Sequence, residues 1–239
     1  MFHFQQFSIQ QSGAAMKVGT DGVLLGAWTP LTDLPDRILD VGTGTGLVAL
    51  MLAQRHPSAM IDAVEIDSQS CLDARWNFEH SPWKDRLTLF EMSFQDFTKT
   101  AGSNYDLVVC NPPFFSRSIK NACHRKTVAR HDDALDYQEL LHGSRQLLHP
   151  GGQLSLILPA EGYETFRGIA ARNGWFEYRR LNVIPSPGKK VKRVLSCWGL
   201  LVPEDHLASE EMVVEISRHQ YSDDFYRLTR DFYLKRVFH

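Results

Sequence analysis

The residues of this chain best suited to do chemistry are Asn111-Pro112-Pro113-Phe114. They follow the short apolar run Tyr105-Asp106-Leu107-Val108-Val109-Cys110, which reads as a buried strand ended abruptly by two prolines. A strand end of this kind presents a side-chain amide, a rigid turn of backbone carbonyls and an aromatic face within one small volume. The amide oxygen of Asn111 and the carbonyl of Pro112 can both accept hydrogen bonds from an NH2 group, while Phe114 stacks on the ring that carries it. The matching target is a planar molecule with an exocyclic amine. Asn-Pro and Pro-Pro are also ordinary turn formers, so the motif gains weight only from what accompanies it.

A second motif lies upstream. Ile38-Leu39-Asp40-Val41 leads into Gly42-Thr43-Gly44-Thr45-Gly46 and then into the apolar stretch Leu47–Arg55, the pattern of a strand, a glycine-rich turn and a helix. The glycines permit positive φ angles and the close backbone approach of a nucleotide-like ligand, and Asp40 stands where it can shape the turn. A dinucleotide fingerprint would place its third glycine at position 47, which is Leu47, and no Lys-Ser/Thr pair marks a phosphate-binding loop. The turn therefore points to a ligand without a pyrophosphate, with S-adenosyl-L-methionine as the leading candidate. The run Met60–Glu65 reads as the next strand and ends in a carboxylate roughly 20 residues past the glycines, the interval for ribose recognition. The alternative for Glu65 is a charge at a helix N-terminus, a role open also to Asp67 or Ser68. Asp96, after a third strand at Leu87–Glu91, could accept from an adenine amine or cap the short segment around Phe97.

The elements that must position these residues alternate along the chain. Strands are expected at 37–41, 60–65, 87–91, 105–110 and 153–158, with helices near 46–55, 68–80 and 136–148. A helix near 161–173 precedes two late strands near 177–184 and 191–202. Gly151-Gly152 reads as the end of a helix and the start of the fifth strand, Asp21-Gly22 as a turn signal, and the segment from Tyr221 to Phe238 as an amphipathic helix on the core. The alternation predicts an α/β fold with a doubly wound sheet, which places the glycine turn and the Asn-Pro-Pro turn on the same edge. We expect a single domain over the 239 residues: an N-terminal segment at 1–35, a core at 36–203 and a C-terminal strand and helix at 204–239.

A net charge of −2 excludes a bulk polycation, but the charge is unevenly spread. Between Asn111 and His131 lie Arg117, Lys120, Arg125, Lys126 and Arg130 with no acidic residue. A second acid-free segment, Tyr178 to Val202, holds Arg179, Arg180, Lys189, Lys190, Lys192 and Arg193. Basic segments flanking a reactive strand end suit a phosphate backbone, with solvated loops as the plainer reading. The four cysteines show no paired or zinc-like spacing and the ten histidines are scattered, so no metal is expected; Cys110 and Cys197 read as core residues. Without a signal-peptide pattern or a membrane-length apolar run, a cytoplasmic setting is expected, with no membrane partner and a monomeric state.

The glycine turn, Glu65 and Asn-Pro-Pro-Phe together resemble class I S-adenosylmethionine-dependent methyltransferases acting on planar amine or amide nitrogens. The block Ala15–Trp28, with Leu50–Arg55, Ile61–Glu65, Ser81-Pro82-Trp83 and the segments Tyr221-Ser222 and Phe232–Leu234, is similar to the bacterial tRNA(Val) adenine-37 N6-methyltransferase family over nearly the whole chain. The resemblance implies a Rossmann-like sheet with a final antiparallel strand and tRNA as substrate. It also implies an N-terminal block, with Lys17, Gly19 and Thr20, lying over the cofactor, where Lys17 or Thr20 could meet the methionine carboxylate, the alternative being a glycine-rich turn that closes the sheet edge. By the same resemblance, Arg130 and His131 contact RNA or anchor their loop. Members of that family usually carry tyrosine where this chain has Phe114. Asn-Pro-Pro-Phe also resembles guanine-N2 methyltransferases of ribosomal RNA, and protein glutamine N5-methyltransferases share the Asn-Pro-Pro geometry but have no need of two basic segments.

Overall fold

Apolar runs of five or six residues with no polar alternation can be buried on both faces only in a parallel sheet covered by helices on each side. The computed structural model places them there and describes residues 1–14, 16–29, 35–102, 104–112, 136–204 and 207–234. Pro113, Phe114, Arg117, Lys120, Arg125, Lys126, Arg130 and His131 lie outside the described residues.

After a short hairpin, β1 (Phe2–His3) and β2 (Ser8–Ile9), comes α1 (Thr20–Trp28). The alternating core runs β3 (Arg37–Val41), α2 (Leu47–Arg55), β4 (Met60–Glu65), α3 (Ser68–Glu79), β5 (Leu87–Glu91), α4 (Phe94–Thr100) and β6 (Tyr105–Cys110). It continues with α5 (Tyr137–Leu147), β7 (Leu148–Pro159), α6 (Ala160–Arg172), β8 (Phe176–Ile184) and β9 (Arg193–Gly199). The chain then forms β10 (Ala208–Val213), β11 (Glu215–Ser217), β12 (Gln220–Tyr221) and α7 (Asp223–Thr229).

Eight strands make one sheet in the order β10-β8-β9-β7-β6-β3-β4-β5. β9 runs antiparallel to both of its neighbours, and every other described pairing in that sheet is parallel. The expected antiparallel strand is therefore β9. It is not the last in the chain, because β10 adds to the edge beside β8. Side chains of α1, α2 and α7, with Phe78 of α3, pack on one face, and those of α4, α5 and α6 on the other. The connection order reverses between β3 and β6, so a crevice opens there at the carboxyl ends of the strands. Among the described residues no helix is long and apolar enough to cross a membrane.

Three local readings change. Asp21-Gly22 is not a turn but part of the first turn of α1. Two glycines in nine residues depress helix propensity by about 1 kcal/mol each, yet they let the helix approach α2 closely. A Cβ added at Gly22 would lie 3.0 Å from Leu47, and one at Gly26 2.8 Å from Met51. Gly151-Gly152 falls inside β7 rather than capping α5, because the strand irregularity opposite Tyr105 brings backbone against backbone: a Cβ on Gly152 would sit 2.8 Å from the Tyr105 carbonyl oxygen. The C-terminal helix ends early, at Thr229, since Gln5 takes over the carbonyls that a longer helix would use. Its Nε2 donates to the Arg230 and Tyr233 oxygens, and its backbone N–H to Phe232. Phe225 and Phe232 are buried in the core as the pattern requires.

The close α1–α2 contact makes a direct prediction. Gly26→Leu should lower the unfolding free energy by about 1–3 kcal/mol through overpacking, read from the midpoint of denaturant unfolding. An unchanged midpoint would mean that α1 does not rest on Met51.

Candidate active site

The glycine turn owes its shape to its residue types. Gly42, Gly44 and Gly46 all have positive φ, at 68°, 58° and 81°, a region that costs other residues roughly 1–2 kcal/mol. An added Cβ would meet nothing within 4 Å at Gly42 or Gly44, but at Gly46 it would lie 2.4 Å from Phe78. The first two glycines thus leave open space above the strand end, and the third packs the turn onto α3. The turn is tied sideways to β4, with the N–H groups of Gly42 and Thr43 both donating to the Val64 carbonyl at 2.8 and 3.1 Å.

Asp40 lies beneath the turn, 1% exposed. Its Oδ2 accepts from the Thr43 hydroxyl at 2.6 Å and from the Ala49 backbone N–H at 3.1 Å. Burial pushes its carboxyl up to about 7, and the nearby Glu65 charge adds to this, against the two hydrogen bonds that favour the ionised form. Glu65, at the end of β4, directs Oε2 to the Gly44 N–H at 2.8 Å and Oε1 to the N–H groups of Ile66 and Asp67, both at 2.9 Å. Asp67 itself caps α3 by accepting from Ser70 N. The helix-capping role therefore falls to Asp67, and Glu65 faces the turn.

Val41 pairs with Cys110 in register, so Gly42 and Asn111 are the first residues past two adjacent strand ends. Asn111 Oδ1 is buried and, among the described residues, has no hydrogen-bond donor. Such an acceptor is costly to leave unmet, roughly 1–3 kcal/mol, and this one lies beside the open space over Gly42 and Gly44. Pro112 is buried next to it.

The remaining sequence candidates are spread more widely on the same edge. Asp96 is in the first turn of α4, exposed, with one oxygen accepting from Ser93 Oγ and the other from Lys99 Nζ, both at 2.8 Å. The Lys99 and Ser93 hydrogen bonds hold its carboxyl below the usual range. Lys17 and Thr20 are exposed, and Gly19 is the N-cap of α1.

The segment between β8 and β9 starts at the same carboxyl edge. Gly188, with φ of 75°, follows Pro187 in a turn closed by Lys189 N–H to the Ser186 carbonyl at 3.1 Å, which turns Lys189, Lys190 and Lys192 to solvent. Arg193 differs: its Nε donates to Asp21 Oδ2 at 2.7 Å, joining this segment to the start of α1. Arg179 and Arg180 pair with Glu210 and Glu177 within the sheet. Sequence reading passed over Asn77 and Asp73, both buried polar residues of α3, and Asn77 Nδ2 donates to the Thr45 carbonyl within the glycine turn. A polar residue at every third or fourth position of an otherwise buried helix face was the available signal.

Asp40 generates a pH prediction. Its folded pKa of about 7 exceeds the unfolded 3.8, so the folded protein binds this proton more tightly, and the group's contribution to stability declines as pH rises between those values. Asp40→Asn can keep both hydrogen bonds and cannot ionise. The stability of the variant relative to wild type should therefore increase from about pH 5 to about pH 7.5. A difference independent of pH, measured by denaturant unfolding, would show that Asp40 ionises normally in the fold.

The chain is similar to known proteins. Residues 19–165 match the Methyltransferase small domain family. A tRNA1(Val) (adenine(37)-N6)-methyltransferase of Bacteroides fragilis is 45% identical over 238 residues, covering 98% of each chain. One from Flavobacterium psychrophilum is 42% identical, covering 98% of this chain and all of its own. Among solved structures, an O-methyltransferase of Agrobacterium tumefaciens, described as predicted, superimposes with a TM-score of 0.68 at 16% identity, covering 89% of this chain and 96% of its own, a likeness of fold. With the glycine turn, the carboxylate at the end of β4 and the amide at the end of β6 on one edge, and identity running the length of both chains, this protein belongs to the Methyltransferase small domain family and, within it, to the tRNA1(Val) (adenine(37)-N6)-methyltransferases.

Proposed function

We propose that the protein methylates N6 of adenine 37, beside the anticodon of tRNA(Val), with S-adenosyl-L-methionine as donor. The observation that carries this reading is the buried Asn111 oxygen at the switch point of the sheet, which has no donor among the described residues and lies one strand away from a glycine turn with open space above it. The names of the full-length relatives point to the same reaction.

The donor, when bound, supplies a methyl group already activated on a sulfonium. The residues fit it. The open side of Gly42 and Gly44 admits its body, with Gly46 and Asp40 holding the turn, and Lys17, Gly19 and Thr20 are assigned to its methionine end. Glu65 is assigned to the ribose. A carboxylate has about four acceptor sites, and three backbone N–H groups use three of them. One ribose hydroxyl can be taken directly, and a second requires the Gly44 N–H to be released. Asp96 is assigned to the adenine amine of the cofactor.

An aryl amine is a weak nucleophile because its lone pair is delocalised into the ring. Asn111 Oδ1 and the Pro112 carbonyl accept its two hydrogens, which turns lone-pair character toward the methyl group and stabilises the positive charge that develops on nitrogen. No side chain has to remove a proton before attack; the proton can leave to water afterwards. Alignment is the main contribution, worth up to about 7–11 kcal/mol in the best-oriented systems. The base must be unstacked, which a single-stranded loop allows at lower cost than a duplex. Phe114 is assigned to stack on the base, which returns roughly 1–3 kcal/mol, and Pro113 is assigned to the same motif. Lys189, Lys190, Lys192 and Arg193, together with Arg117, Lys120, Arg125, Lys126 and Arg130 outside the described residues, are assigned to RNA phosphates.

Two measurements test this. Asn111→Ala should reduce methyl transfer by about 10²–10³-fold while cofactor affinity stays within a few fold, followed by nucleoside mass spectrometry of tRNA. The wild-type product should be N6-methyladenosine; methylated guanosine would replace the adenine assignment. Replacing Lys189, Lys190, Lys192 and Arg193 together by Gln should flatten the salt dependence of tRNA binding by a log–log slope of roughly 0.7–0.9 for each phosphate no longer neutralised. A full slope in that variant would remove the segment from the RNA interface.

A further inference from the structure

The buried stripe of α3 consists of Ser70, Cys71, Asp73, Ala74, Asn77 and Phe78. Half of these are polar, on a face that ordinarily carries aliphatic side chains. Asp73 is 3% exposed and Asn77 1% exposed, and burying such groups is costly unless each is hydrogen-bonded. Both are satisfied by a distant piece of chain. Asn77 Oδ1 accepts from the Gln10 backbone N–H at 2.6 Å, and its Nδ2 donates to the Gln10 carbonyl at 2.9 Å, as a neighbouring strand would. The second Nδ2 hydrogen goes to the Thr45 carbonyl at 2.8 Å, between Gly44 and Gly46. One helical turn earlier, Asp73 Oδ2 accepts from the N–H groups of Gly13 and Ala14 at 2.9 and 3.0 Å, and Oδ1 from Gln10 Nε2 at 3.3 Å. Among the described residues Asp73 enters no salt bridge, so backbone N–H groups of the N-terminal segment are its main partners.

Residues 10–14 are therefore pinned beside the glycine turn. Val18 follows, its backbone N–H donating to Gln11 Oε1 at 2.7 Å and its side chain packed on the core, and beyond it α1 is held where Asp21 meets Arg193 opposite Pro159 at the end of β7. In the sheet order β9-β7-β6-β3-β4, a segment anchored on α3 after β4 and again at β9 must cross the ends of β6 and β3. Lys17 and Gly19 lie between the two anchors.

We infer that Asn77 is a positioning residue of the cofactor pocket, seconded by Asp73: it fastens the N-terminal strap to the glycine turn and so sets where Lys17, Gly19 and Thr20 stand over the cofactor. The inference rests on the proposed cofactor site. Its chemistry requires asparagine. Aspartate lacks both hydrogens that Asn77 gives to Gln10 and Thr45, and glutamine carries its amide one methylene too far.

The test measures S-adenosylhomocysteine binding by calorimetry together with amide hydrogen exchange. Asn77→Asp should bind about tenfold more weakly, the equivalent of roughly one buried hydrogen bond, with faster exchange confined to residues 10–19. Gln10→Pro removes the N–H that Asn77 accepts while leaving α3 and the glycine turn intact, and it should act in the same direction even if Asn77→Asp fails to fold. Weakened binding with loosened exchange in either variant supports the inference. Unchanged affinity in a folded variant whose unfolding midpoint has dropped would make Asn77 a structural residue only and overturn it. Wild-type protein that does not bind S-adenosylhomocysteine would instead overturn the cofactor reading, and this inference with it.

Discussion

Asp40 stands at the carboxyl end of the central strand β3, and both partners of its Oδ2 lie farther along the chain: the Thr43 hydroxyl in the glycine turn and the Ala49 N–H in the first turn of α2. One carboxylate thus joins strand, turn and helix, and supplies an acceptor to an N–H of the first helical turn that has no intrahelical partner. Its burial is expensive, as its raised pKa of about 7 records, and the packing of β3 between β4 and β6 holds it in place. The open face of Gly42 and Gly44, the reach of Glu65 to the Gly44 N–H and the adjacency of Asn111 to Gly42 all assume that this turn keeps its shape.

Around that constraint the site divides into parts of different character. The ends of β3, β4 and β6 are set by sheet register and cannot shift singly without breaking the ladder. The N-terminal strap and the β8–β9 turn are attached at points rather than along their length. For methyl transfer from an activated donor this division is appropriate. The reacting groups need alignment more than acid–base assistance, so acceptors belong on rigid strand ends, while the segments proposed to receive cofactor and RNA need room to engage.

Much of the fold could be read before any coordinates. Strands Arg37–Val41, Met60–Glu65, Leu87–Glu91 and Tyr105–Cys110 fall where the apolar runs predict them, because each is a short, strand-length run rich in apolar residues. Legibility failed where a tertiary contact outweighed a local preference. Asp21-Gly22 read as a turn signal, and Gly22 became, with Gly26, a helix contact with α2. Gly151-Gly152 read as a cap and became the close crossing of β7 and β6. The C-terminal helix read as long, and stopped where Gln5 supplied the missing hydrogen-bond donors.

What the sequence determined by itself was the local chemistry: glycines 42, 44 and 46 for a turn of positive φ, a carboxylate one strand on, and an amide held between a strand end and two prolines. These are properties of a few consecutive residues, and steric limits on φ and ψ make them readable in isolation. Only the tertiary structure decided what covers that chemistry. Gln10 and Asn77 are 67 residues apart, and Arg193 and Asp21 are 172 apart. A buried Asn or Asp on a helix face announces in sequence that it needs partners, but periodicity records only which face turns inward. Which distant segment supplies the hydrogen bonds is settled when the sheet brings its strand ends to a common edge.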